Sequence, residues 1–231
     1  MRRSKPLLIL SALVALAGSL TLVPTPASAT AVEWGQAHAQ WQAADKRLNE
    51  TYQRLMAQLG PAARQHLVKA ELAWIAFRDA EVTFHEDRMR GGSGASTLGE
   101  QTKAHLTVRR ADALHDLMVD WGVKSGATAK PSRADIAMAL ANAKSSAVEA
   151  DKALNQHYKL VIGAIDAPAR KLLIQSQLKW ITFRDLEAKL WGAVIPNSPF
   201  AAADYQDGVA YATTQRAEDL KMLLDLWRSR R

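Results

Sequence analysis

The chain has 231 residues, 48% hydrophobic and 23% charged, with 30 basic side chains against 23 acidic ones and no cysteine. Without a thiol it can build neither a disulfide framework nor a thiolate catalytic or metal site. Charges of both signs are interleaved along the chain instead of gathering into a basic stripe, which argues against a nucleic-acid partner.

The chain opens with Arg2, Arg3 and Lys5, runs through an apolar stretch from Leu7 to Val23 and reaches Ala27-Ser28-Ala29. That succession predicts a secretory signal peptide over 1–29, cleaved after Ala29, and a periplasmic or secreted protein whose only membrane contact is through this segment. The apolar stretch could just span a bilayer, so a retained anchor is the alternative. Cleavage would remove three basic residues and leave 27 against 23, a net charge of +4 in place of +7.

Trp34, His38, Trp41, Asp45, Leu48, Tyr52, Leu55 and Leu59 follow at alternating spacings of three and four, the period of one helical stripe. A first helix of about 25 residues is predicted, stopped by Gly60, with Pro61 opening the next. In the second helix Leu67, Ala70, Trp74, Phe77 and Glu81 keep the same spacing, so Trp74 and Phe77 are core anchors. Gly91, Gly92, Ser93 and Gly94, with Ala95 and Ser96, read as an exposed loop. A third helix from about Thr97 carries Ala104, Thr107, Ala111, Leu114, Met118 and Trp121 and stops near Gly122.

The stretch 123–131 is rich in small and polar residues and is predicted to be a linker. Ser132 can cap a fourth helix, with Asp135 in its first turn. Leu140, Lys144, Ala147, Asp151, Leu154, Tyr158, Val161 and Ile165 mark that helix. Pro168 opens a fifth helix, with Leu173, Trp180, Phe183 and Glu187, and a sixth carries Ala210, Thr213, Ala217, Leu220, Leu224 and Trp227. No stretch alternates apolar and polar residues long enough to build a sheet.

The second half repeats the first at a constant displacement of 106 positions. Trp74-Ile75-Ala76-Phe77-Arg78-Asp79 returns as Trp180-Ile181-Thr182-Phe183-Arg184-Asp185. Asp45, Asn49 and Tyr52 return as Asp151, Asn155 and Tyr158, and Arg110 returns as Arg216. A repeat of that length is a duplicated domain, since solenoid units run to only about 20 to 50 residues. The expected architecture is all-α, with two tandem three-helix bundle-like domains over 30–122 and 132–231.

Polar residues kept in both copies beside apolar stripes ask for a reason. One reading pairs Asp45 or Asn49 with Arg78 or Arg110 to fix the register between helices. The other makes the cluster a ligand site with Asp79 as general acid or base. For enzymatic chemistry the sequence offers no G-x-S-x-G elbow, phosphate loop or dinucleotide fingerprint, so no catalytic residue and no cofactor is expected. For metal, no H-E-x-x-H occurs, and the Asp112, His115 and Asp116 set is not kept at Glu218, Lys221 and Met222. The chain is read as a binding protein and not an enzyme. Its candidate partner-binding positions are the two divergent loops, Gly91, Gly92, Ser93 and Gly94 in the first half and Asn197, Ser198, Pro199 and Phe200 in the second. Phe200 is either an interface anchor or folded back on its own half.

The succession Ala-Asp-Lys-x-Leu-Asn-x-x-Tyr, then Trp-Ile-x-Phe-Arg-Asp-x-Glu, then Thr-x-x-Arg-Ala-x-x-Leu, present twice, resembles the LprI-like lysozyme inhibitor domain of exported bacterial proteins. The resemblance covers about Trp34 to Trp121 and about Leu140 to Trp227. It implies a lysozyme inhibitor that occludes the lysozyme cleft through a loop or helix end. An envelope module that binds cell-wall glycan, lipid head groups or another exported protein is the alternative. Members commonly carry cysteines soon after the Arg-Asp block and before the third-helix block. This chain has Val82 and Ala188 at the first place and none near the second. The sequence does not set the oligomeric state.

Overall fold

A computed structural model describes residues 26–90, 92–125 and 130–228, and the side chains of 31–90, 92–119 and 130–225. Six helices account for nearly all of them: α1 (Pro26–Gln58), α2 (Pro61–Asp87), α3 (Ala95–Ser125), α4 (Arg133–Ala164), α5 (Ala167–Ala193) and α6 (Ala201–Arg228). No strand occurs among the described residues. The expected signal peptide lies outside them up to residue 25, and α1 begins at Pro26, ahead of the expected cleavage point. The third helix runs three residues past Gly122, and the linker positions 126–129 lie outside the described residues. So do the side chains of Trp121 and Trp227.

Local chemistry accounts for the helix ends. At α4 the Asp135 N–H donates to Ser132 Oγ at 3.1 Å, while the Ser132 N–H donates to Asp135 Oδ2 at 2.9 Å. This reciprocal capping box satisfies two backbone donors that the helix itself leaves unpaired. At α5 the Ala169 N–H donates to Asp166 Oδ1 at 3.0 Å, with Pro168 in the first turn. The turn before α2 has no side-chain cap; Pro61 in its first turn has no N–H that would need one.

The three-four stripes are buried as their spacing requires. Leu67, Trp74, Phe77 and Phe84 from α2, Leu114 and Leu117 from α3, and Leu48 and Leu55 from α1 belong to one apolar core. Their displaced counterparts, including Leu173, Trp180, Phe183, Leu190, Leu154, Val161, Leu220 and Leu223, belong to the same core. The first turns of the α1 stripe depart from expectation: Trp34 is exposed and stacks on His38 with ring centroids 4.8 Å apart. Trp41 is half-buried under the Lys103 ammonium, 3.9 Å from its ring.

In each half the first helix packs along the third, and the second packs against the third. The halves are joined by α2 and α5, which lie side by side. Going up α2, Gly60 adjoins Pro196, Phe77 stacks on Phe183, Glu81 meets Ser176 and Arg90 meets Asp166. The partner numbers fall as the α2 numbers rise, so the two helices are antiparallel. Beneath them α3 and α6 meet through Arg109 and Asp219 at 2.6 Å, and through Tyr211 and Asp116 at 3.2 Å. The two halves are therefore related by an approximate two-fold axis between α2 and α5.

Candidate functional site

The axis is marked by a parallel pair of rings, Phe77 and Phe183, with centroids 6.2 Å apart and planes within 3°. The Arg216 guanidinium lies 5.2 Å from the Phe77 ring and the Arg110 guanidinium 5.1 Å from the Phe183 ring. Each arginine is fully buried and paired across the seam with a buried glutamate of the other half. Arg110 donates to Glu187 Oε2 at 2.9 Å, and Arg216 donates to the two Glu81 oxygens at 2.8 and 3.0 Å. Within its own half Arg110 also donates to Glu71 at 2.7 Å, and Arg216 to Gln177 at 3.0 Å. Expected pairing with Asp45 or Asn49 is thus replaced by an exchange of partners between halves. The sequence carried a signal for it, since Glu81 and Glu187 are carboxylates on otherwise apolar stripes at the repeat displacement.

Electrostatics distinguishes these carboxylates. Burial alone would raise the Glu81 carboxyl, but the Arg216 guanidinium and the His85 ring outweigh it and hold the group far below the usual range. For Glu71 burial wins over Arg110, with help from the Glu187 charge, and its carboxyl is pushed up. Burial keeps the half-buried Tyr52 and Tyr158 phenols above their usual range.

The other repeated polar residues are held locally. Asn49 donates to Asp45 at 3.0 Å and Asn155 to Asp151 at 2.8 Å, one turn apart on their helices. Arg78 donates to Asp79 at 2.7 Å and lies 5.1 Å from the Trp74 ring; Arg184 repeats this with Asp185 at 2.7 Å and Trp180 at 5.2 Å. Asp45 and Asp79 thus serve separate helices and not one acid-base constellation. No cluster of three or more metal-ligating side chains occurs among the described residues.

Because α2 and α5 are antiparallel, the two candidate loops fall at opposite ends of the molecule. An α2 of 27 residues separates them by about 40 Å at 1.5 Å per residue. Gly92 and Ser93 are exposed and Gly94 half-buried, while Gly91 lies outside the described residues. Arg90 pairs with Asp87 in its own half and ties this end to the other half through Asp166 at 3.1 Å. In the second loop Asn197 holds φ 57°, the left-handed region that asparagine tolerates, and Pro199 is exposed. Phe200 is half-buried, its N–H donating to Ser198 Oγ at 3.1 Å.

The ends differ in a way the loops alone do not reveal. Beside Gly92 to Gly94 a cleft of about 240 Å³ opens between α2, α3 and α6, with His85, Thr102, His105 and Met222 on its walls. At the equivalent place in the second half stand Trp191, Gly208, Tyr211 and Asp116. There Trp191 donates to Glu187 at 3.3 Å and packs against Tyr211 at 5.3 Å. A Cβ on Gly208 would meet Trp191 Cγ at 2.8 Å and Ala188 Cα at 3.0 Å, so only glycine lets α6 approach α5 this closely. His85 takes the Trp191 position in the first half, with Nε2 3.4 Å from Glu81, and leaves the space unfilled. The close α5–α6 contact falls at Ala188, one of the places where the related family commonly has cysteine.

Residues 25–114 and 126–220 each match the family described as Lysozyme inhibitor LprI. The chain belongs to the LprI family. Its duplication is therefore a tandem pair of LprI units, each supplying three helices. No match was found among curated proteins. An uncharacterized protein from Burkholderia thailandensis, known from a crystal structure, is 17% identical, with 84% of this chain and 88% of that one aligned and a TM-score of 0.49. No helix among the described residues is long and apolar enough to cross a membrane.

Proposed function

We propose that this LprI-family chain is exported and inhibits lysozyme by steric occlusion, one end of the molecule covering the lysozyme cleft and contacting its catalytic carboxylates. The observation that carries this reading is the match of both halves to an inhibitor family. Two exposed loops on a rigid helical scaffold supply the kind of projecting element that occlusion needs. Since about 40 Å separates them, one lysozyme cleft meets one loop at a time. The Gly92 to Gly94 end is the better candidate, because the adjoining cleft is open there, whereas the second loop sits beside a site packed shut by Trp191 and Tyr211.

The test is the rate of cell-wall lysis by a c-type lysozyme at physiological salt, with and without the protein. Dose-dependent slowing is expected. Replacing 92–94 with a plain linker should abolish most of the inhibition, and replacing 197–200 should leave it. Inhibition that survives both exchanges would remove the loops from the mechanism, and no slowing at large molar excess would remove the inhibitor reading.

A further inference from the structure

The cleft beside the first loop has a counterpart that is filled from within the chain. In the second half the equivalent space holds the Trp191 indole, set between Glu187, Gly208 and Tyr211. The repeat displacement puts His85, Thr102 and His105 at the places of Trp191, Gly208 and Tyr211, and Met222 at that of Asp116. With imidazole in place of indole at 85, about 240 Å³ stays open between α2, α3 and α6. An apolar cavity of about 150 Å³ is enough to hold benzene, whereas pockets for drug-sized ligands begin at about 300 Å³. The space therefore fits one ring and not a length of saccharide or peptide chain.

The walls select an uncharged occupant. Leu98, Leu106, Met222 and Leu223 supply most of their surface. The polar groups among them are already engaged. Thr102 donates to the Leu98 carbonyl at 2.8 Å, Glu81 accepts from Arg216 at 2.8 Å, and Asp219 accepts from Arg109 at 2.6 Å. His85 lies 3.4 Å from Glu81 through Nε2 and 3.5 Å from Arg88 through Nδ1. A charged group entering here would give up its water for partners that are already neutralised. The cleft is also continuous with the candidate loop, since Leu98 on its wall donates its N–H to the Gly94 carbonyl at 3.0 Å. A protein that covers the loop lies against the cleft as well.

We infer that this cleft receives one aromatic side chain of the lysozyme seated on the Gly92 to Gly94 end, as Trp191 fills the second half from within; the inference rests on the inhibitor reading. The site itself is tested without lysozyme, by titrating fluoroindole into the whole protein and following its fluorine resonance. A saturable shift and broadening is expected. His85→Trp with Thr102→Gly, which fills the cleft, should abolish the response. Met222→Asp copies Asp116 at an exposed position, so it leaves the core untouched, and should weaken binding about fivefold. In the lysis assay the filled variant should lose most of its inhibition, and Met222→Asp should need about fivefold more protein for the same slowing. No fluoroindole response in the wild type, or one unchanged in both variants, would overturn the site. Inhibition unchanged in both variants would overturn lysozyme as the source of the ring. If the wild type does not slow lysis at all, the inhibitor reading falls, and the fluoroindole titrations alone decide whether the cleft is a ring site.

Discussion

The two halves solve one packing problem with different residues. Where the second half sets Trp191, Gly208 and Tyr211 against one another, the first places His85, Thr102 and His105 and keeps a cleft. Where the first half gives Arg110 a carboxylate at Glu71, the second gives Arg216 the neutral amide of Gln177. What does not vary is the exchange of Glu81 and Glu187 between halves. The seam therefore holds the architecture, and the space beside it has been free to diverge.

The largest effect should come from breaking the seam. Arg216→Met leaves Glu81 buried without its guanidinium and should cost about 3 to 5 kcal/mol in denaturant unfolding, as loss of one partner of a buried pair does. Glu81→Gln should cost a comparable amount at neutral pH. The Glu81 pKa is depressed in the fold, so its contribution is present above the ordinary glutamate range and fades as pH falls below it. The gap between wild type and Glu81→Gln should accordingly narrow in acid; a gap constant with pH would show that Glu81 does not act through its charge.

Next comes the packing that distinguishes the halves. Gly208→Ala should destabilise by about 1 to 3 kcal/mol, since backbone and Trp191 meet the added methyl. In the first half the corresponding exchange runs the other way. His85→Trp alone should be overpacked against Thr102, and His85→Trp with Thr102→Gly should recover stability and close the cleft. Thermal unfolding of the single and double variants measures this; equal destabilisation in both would mean the cleft is not the counterpart of the Trp191 site. Smallest is Glu71→Gln, which copies Gln177. Burial raises the Glu71 pKa, so its stabilising contribution is complete below the ordinary glutamate range and lost as pH rises through the folded value. The variant should match wild type in acid and equal or exceed it, by about 1 kcal/mol or less, at neutral pH. A loss at neutral pH would mean the Glu71 charge is needed by Arg110.

Much of the fold was legible because a helix buries a stripe, and a stripe has a period. Leu67, Trp74 and Phe77, or Leu114 and Ala111, announce their faces by spacing alone, and Gly60, Pro61 and Ser132 announce the ends. Partner choice carries no such period. Sequence separation does not single out the partners of Arg110, since Glu71 and Glu187 lie 39 and 77 positions away, so its exchange with Glu187 becomes visible only when α2 and α5 are set antiparallel. The loops were legible as loops, but their placement at opposite ends required the same fact. Trp34 misled because its spacing fits the α1 stripe although the helix there extends beyond the core.

The crossed pairs also bear on how the chain must be assembled. A first half made alone would leave Arg110 without Glu187, Glu81 without Arg216 and the Phe77 ring open to water, and two such halves would restore these contacts by associating about a true two-fold axis. The tandem chain is thus arranged as a dimer whose subunits have been fused. Fusion fixes the partner, makes assembly independent of concentration, and allows the two subunits to become unlike, which a self-associating single unit could not do.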